Sequence, residues 1–318
     1  MKNFILFLIA TLNCFCNLFA QDKYEVIVIG NNKDSIIPNF SIGRINNKGQ
    51  CYGMVTNGTS LSTLVAWDPI EGVKRFNEFD GWYANACDIN DRGYIVGVLS
   101  QKGVNPTTNI AFLWNPWTEE LKFGPYDVSP RAINASNQVV GSISSNGYGY
   151  GSDTSFIWDS EKFAILSSSY RVLDINDKGE ILHEMTGTMN AKEFNNEGIV
   201  IGTVSSKTSS MACVLVNGNR KLLPLPSYPV ISTQAVSINN LGEIVGYYLK
   251  SKYTNPIGCL WIGEKFIDLN SIIITNNSKV EIISPIQIND RSQIIANGYY
   301  NGEWANFMLN PIKESSEN

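Results

Sequence analysis

Residues 86–100 read ACDINDRGYIVGVLS, and the reading of this stretch decides the fold. Two runs suited to β-strands flank Asn90-Asp91-Arg92-Gly93. Asn or Asp opening a four-residue segment that closes on Gly is the signature of a type I turn ending at positive φ, so the stretch predicts an antiparallel hairpin. The phrase recurs as INNKGQCYG from Ile45, INASNQVVG from Ile133, INDKGEILH from Ile175, FNNEGIVIG from Phe194, INNLGEIVG from Ile238 and INDRSQIIA from Ile288. Where Gly is missing, Asn137 and Ser292 stand in its place, and Asn is the next best tolerated residue at positive φ.

The phrase asparagines are Asn46, Asn90, Asn134, Asn176, Asn195, Asn239 and Asn289, at steps of 44, 44, 42, 19, 44 and 50 residues. A second phrase follows at a steady offset: LVAW ending at Trp67, AFLW at Trp114, SFIW at Trp158 and GCLW at Trp261. Val216 and Leu309 stand near the Trp position in the fifth and seventh copies, and the fourth copy lacks the second phrase. The stretch AFLW, Asn115-Pro116 and Leu121-Lys122-Phe123 reads as strand, turn and strand. Four short strands in about 44 residues is the size of a propeller blade. A β-sandwich does not require one phrase at one offset in every unit, and a β-helix uses shorter coils.

The expected fold is therefore all-β, a closed β-propeller of about 44-residue four-stranded blades. The last copy stops after its third strand at Leu309-Asn310-Pro311, while YEVIVIG from Tyr24 to Gly30 is an unassigned strand before the first copy. Joined, they complete a blade, close the ring and remove exposed edges. The strand count comes to 26, two more than six full blades hold. This gives seven blades with one short, around 170–187, or alternatively six blades with an inserted hairpin.

Residues 1–20, MKNFILFLIATLNCFCNLFA, have the layout of a secretory signal peptide: one Lys, an apolar run too short for a usual membrane span, then Ala20. A lipoprotein anchor at Cys14 or Cys16 is the alternative, though no small residue precedes either cysteine. The domain reading is 1–20 signal peptide, 21–311 one propeller domain and 312–318 a short polar tail, placing the chain outside the cytoplasm, secreted or periplasmic, with no other stretch apolar enough to span a bilayer. The net charge of −5, without a basic cluster, gives no footprint for nucleic acid. Cys51, Cys87, Cys213 and Cys259 read as buried free thiols, a Cys51–Cys87 disulfide being the alternative.

The alternation of the Asn-Gly phrase with Ile110-Ala111-Phe112-Leu113-Trp114 and its weaker versions resembles the HAF-type extracellular repeats of exported bacterial proteins, over about Phe40 to Pro311. The resemblance implies an exported β-propeller-like protein and no catalytic residues, because the repeated motif is structural.

Other constellations reduce to turns or packing. Asp88 to Gly93 and Asp174 to Gly179 resemble the start of a calcium loop, but its fifth position is Arg92 or Lys178 and its twelfth Leu99 or Met185, where the ion needs oxygen ligands. His183-Glu184 lacks the second His of a zinc-protease motif and, as the sole histidine, has no triad around it. Asp91, Asp177 and Asp290 share one repeat position, so a turn accounts for them better than a catalytic pair. Trp67, Trp114, Trp158 and Trp261 recur once per unit and read as inter-blade packing, not sugar platforms. Off-pattern aromatics are the better contacts: Tyr148 and Tyr150, on the Gly-rich stretch SSNGYGYGS in the third copy, are the candidate ligand-binding residues. Trp82 with Tyr83 and Tyr299 with Tyr300 are further candidates of the same standing, while His183, Glu184 and Glu193 fall in the degenerate fourth unit, where a broken pattern can mark function. The expected function is a monomeric binding module for a protein or glycan, without cofactor, metal or catalytic residues. The alternative is a secreted hydrolase acting on polysaccharide through carboxylates on the axial face.

Overall fold

The computed structural model describes residues 23–30, 35–56, 62–77, 81–103, 108–143, 154–167, 170–184, 189–275 and 278–312. Among them regular structure consists of 27 strands and one 3-10 turn at Leu269–Ser271, and no helix is long and apolar enough to cross a membrane. Each Asn-Gly phrase closes the predicted hairpin. In the second copy Trp82–Ile89 pairs antiparallel with Ile95–Gln101, and Gly93 N–H donates to the Asn90 carbonyl at 3.0 Å. Gly93 sits at φ +88°, while Asn137 and Ser292 take φ +62° and +58°, as expected of Gly substitutes.

The strands form a β-propeller arrangement of four-stranded sheets. The first, second, third, fifth and sixth copies each give one such sheet in simple meander order. The seventh copy gives a five-stranded sheet in which Tyr24–Gly30 lies antiparallel beside Glu303–Pro311, Val26 opposite Leu309 and Val28 opposite Phe307. Its fifth strand, Ile273–Ile274, runs parallel to Tyr24–Glu25 and is the strand the count of 26 lacks. The fourth copy is a hairpin of Val172–Ile175 and Ile181–His183 only.

Apolar clusters lie between neighbouring sheets, so each sheet buries both faces. Trp114, Phe112 and Ile95 of the second sheet pack with Tyr52, Leu64 and Phe76 of the first, Trp114 meeting Phe76 edge-on at 5.0 Å. Trp158 packs against Tyr94 and Val96 of the second sheet, and Trp67 against Ile295 and Met308 of the seventh. All four phrase tryptophans are at most 7 % exposed, which excludes them as open sugar platforms. In the fifth copy Leu215, not Val216, takes the Trp position, because Leu215 pairs with Val200 as Trp114 pairs with Ile95. The four described cysteines are free thiols, with Cys51, Cys213 and Cys259 buried.

Candidate functional site

The phrase asparagines do more than open turns. Each Oδ1 accepts two backbone N–H groups of its own hairpin, as Asn46 does from Lys48 and Gln50, both at 3.0 Å. Each Nδ2 donates to the main-chain carbonyl of the next asparagine. Asn46 donates to Asn90, Asn90 to Asn134, Asn134 to Asn176, Asn176 to Asn195, Asn195 to Asn239, Asn239 to Asn289, and Asn289 back to Asn46, at 2.8–3.3 Å. This is a closed cycle of seven hydrogen bonds. The position needs an acceptor and two donors in one short side chain, which Asn supplies and Asp does not.

A second set of links uses the next residue. Asn47 N–H donates to Asp91 Oδ1, Ala135 to Asp177, Asp177 to Asn196, Asn196 to Asn240, Asn240 to Asp290 and Asp290 to Asn47. The series breaks only at Ala135, which has no side-chain acceptor. The repeated aspartates are thus inter-sheet brackets, beyond the turn role expected of them, their oxygens accepting protein N–H groups of the neighbouring copy.

A bulge interrupts the first strand of every hairpin just before the phrase, for example between Ala86 and Asp88 and between Ala191 and Glu193. The residues two before each asparagine are Arg44, Asp88, Ala132, Asp174, Glu193, Ser237 and Gln287. Six of them line a polar axial cavity of about 410 Å³. Bulges re-aim side chains in this way. Several bracket the following copy: Asp88 Oδ2 accepts Ile133 N–H at 2.9 Å, Gln287 Oε1 accepts Ile45 N–H at 2.8 Å, and Asp174 Oδ2 accepts Phe194 N–H at 3.4 Å. Arg44 and Glu193, from non-adjacent copies, approach to 3.7 Å between Nη1 and Oε2. That Oε2 is buried without a hydrogen-bond partner, while Oε1 accepts the Ser237 hydroxyl at 3.1 Å.

Burial raises the pKa of Asp88, Asp174 and Glu193 above the usual carboxylate range. For Asp174 the charges of Glu193 and Asp88 raise it further, and Arg44 counteracts. Burial works against the Arg44 charge, but the three surrounding carboxylates outweigh it and raise its pKa. The cluster is therefore a guanidinium among three acids, with the pKa of each carboxyl raised.

Sequence reasoning places Glu193 only in a degenerate region and Asp88 only in a resemblance to a calcium loop. The signal it misses is a polar residue that changes identity from copy to copy inside an otherwise repeated strand. Tyr148 and Tyr150 lie outside the described residues. His183 ends its strand with Nδ1 buried and unpartnered, edge-on to Tyr170 at 6.3 Å. Tyr299 packs edge-on to Trp304 at 5.4 Å, Lys102 Nζ lies 4.6 Å over the Tyr83 ring, and Trp82 packs in the second-sheet cluster.

No family model matches the sequence, and no curated protein does. Among solved structures, an acylaminoacyl peptidase from Pyrococcus horikoshii matches at TM-score 0.54 and 12 % identity, covering 82 % of this chain. The chain spans only 50 % of that peptidase. The β-propeller domain of the Trilobed protease from Pyrococcus furiosus matches at 0.44 and 11 % identity, over 87 % of this chain and 86 % of that domain. TolB from Acinetobacter baumannii matches at 0.42 and 11 %, over 84 % and 64 %. At 12 % identity the likeness to the peptidase speaks for the fold alone.

Proposed function

We propose that this chain is an exported, non-catalytic binding module of the HAF-repeat type for a protein or glycan, built on a seven-bladed propeller whose fourth blade is a two-stranded hairpin. One observation carries the non-catalytic reading: the repeated carboxylates are committed to hydrogen bonds that hold neighbouring sheets together, leaving few acids for chemistry at an open face. The seven-membered asparagine cycle supports the blade count, because the short fourth copy takes a full place in it. Pairing of Tyr24–Gly30 with Glu303–Pro311 supports closure of the ring by the N-terminal strand. Export rests on residues 1–20 and predicts cleavage after Ala20, read by N-terminal sequencing of the secreted protein. An unbiased glycan and protein binding screen, run beside turnover assays on the same glycans, tests the function. Binding without turnover is expected, by a monomer, and Tyr148→Ala with Tyr150→Ala weakens it by about 1–3 kcal/mol.

The axial acids favour a second reading, a hydrolase acting on polysaccharide. Carboxyls whose pKa is raised by burial beside a guanidinium have the acid–base character that such chemistry needs. Turnover of a glycan that is abolished by Glu193→Gln or Asp174→Asn would replace the binding reading with this one.

A further inference from the structure

The third residue of the Asn phrase lies at the hairpin tip and reads Lys48, Arg92, Ser136, Lys178, Glu197, Leu241 and Arg291. The asparagine cycle makes the seventh, first and second copies consecutive, so Arg291, Lys48 and Arg92 stand on three adjacent tips. They line one open groove of about 950 Å³. Lys178, the cation elsewhere in the series, is paired with Glu197 at 3.5 Å. Lys48, Arg92 and Arg291 make no ion pair among the described residues, and Arg291 Nη1 reaches only the Lys48 carbonyl, at 3.3 Å.

The acids in the same groove are occupied. Asp68 accepts from Ile70 N–H at 2.7 Å, Glu71 N–H at 2.9 Å and Gln50 Nε2 at 2.9 Å, and these bonds, with the Lys48 charge adding to them, lower its pKa despite burial. Asp290 accepts from Asn240 through both N–H and Nδ2, and from Asn47 Nδ2. Glu71 alone is not capped in this way. Formal charges balance, three acids against three cations, but the oxygens of Asp68 and Asp290 are taken up by protein N–H groups, so the hydrogen-bonding capacity left unused is mainly that of the cations. The apolar part is Trp117, whose Nε1 is buried without a partner, and Ile70, 94 % exposed at the rim. An indole beside an aliphatic rim, with cations on three adjacent hairpin tips, suits a chain of sugar rings carrying one carboxylate each. The groove's volume is that of a site that buries a whole small ligand.

We infer that this groove binds an acidic oligosaccharide of the uronate type, its carboxylates on Lys48, Arg92 and Arg291 and a ring face on Trp117. The inference rests on the binding-module reading and gives it a ligand class and a set of contacts additional to Tyr148 and Tyr150. The test is calorimetric titration of the full chain with tetragalacturonate, its methyl ester and tetraglutamate. The comparison is the variant Lys48→Gln, Arg92→Gln, Arg291→Gln, whose exposed substitutions leave the melting temperature unchanged. Three lost exposed charge contacts predict about a 30-fold weaker Kd in the variant, with similar weakening in the methyl ester and in high salt. The inference is overturned if wild type ignores tetragalacturonate, if the variant or the ester binds as well, or if tetraglutamate binds more tightly. A ligand from the wider screen that binds variant and wild type alike sinks the groove and spares the module, whereas turnover sinks the module.

Discussion

Gly93 shows what the repeat demands of single residues. Its φ of +88° is strained for any side chain, and an added Cβ would lie 2.7 Å from Trp117 Cδ1. Gly242 has φ +80° with open space around the same atom. Gly242→Ala should therefore cost only the backbone term, about 1 kcal/mol, and Gly93→Ala about 2–4 kcal/mol because the indole must also move. Chemical denaturation of the two variants checks the difference, and equal losses would contradict the Trp117 contact. Asn90→Asp is the complementary case. It keeps the acceptor for Arg92 and Tyr94 N–H but removes both donations, to the Asn134 carbonyl and to Asn137 Oδ1, and buries a charge. A loss of about 2–3 kcal/mol is expected in the same measurement. The turn role of this asparagine was legible from the sequence because turn chemistry is local. Its bond to the next repeat was not, since nothing in a nine-residue phrase says what lies 44 residues on.

At the scale of the element, the decisive feature is the bulge before each phrase. Alternation within Trp82–Ile89 or Asn190–Phe194 assigns inward and outward residues only while the register holds. The extra residue shifts that parity and sends Asp88, Asp174 and Glu193 to the axis. This is why the hairpins could be read in advance and the axial cluster could not. The cluster has a measurable consequence. The folded-state pKa values of Asp174 and Glu193 lie above the ordinary 3.8 and 4.5. Between those values and the raised ones the folded chain binds more protons than the unfolded chain, so stability falls as pH rises through this window. Asp174→Asn keeps an acceptor for Phe194 N–H and removes the titration. Wild-type stability should decline from about pH 4 upward, by at most about 1.4 kcal/mol per pH unit for each such carboxyl. Melting temperatures measured across this range check it, and the variant should decline less. Parallel curves would mean that Asp174 does not hold its proton.

Across the whole molecule, the period of 44 residues and the missing fourth strand of the last copy made the propeller legible, because architecture follows from repetition while sites follow from departures from it. The extra strand at Ile273–Ile274 escaped, being two residues that pair only with Tyr24 and Glu25. Those same pairings place Tyr24–Gly30 between two parts of the chain about 250–285 residues away. Val26 and Val28 pack in the last sheet's cluster, while Ile27 and Ile29 face the cluster shared with the first sheet, Ile29 being fully buried. Deleting residues 24–30 would strip both clusters and leave Glu303–Pro311 as a long apolar edge with unpaired N–H and C=O groups. Aggregation or loss of cooperative unfolding is expected, read by light scattering and calorimetry. Ile29→Ala isolates packing from edge exposure: it should cost about 2–5 kcal/mol while the protein stays monomeric. A deletion variant that remains monomeric with an unchanged melting temperature would show that the ring does not depend on its first strand.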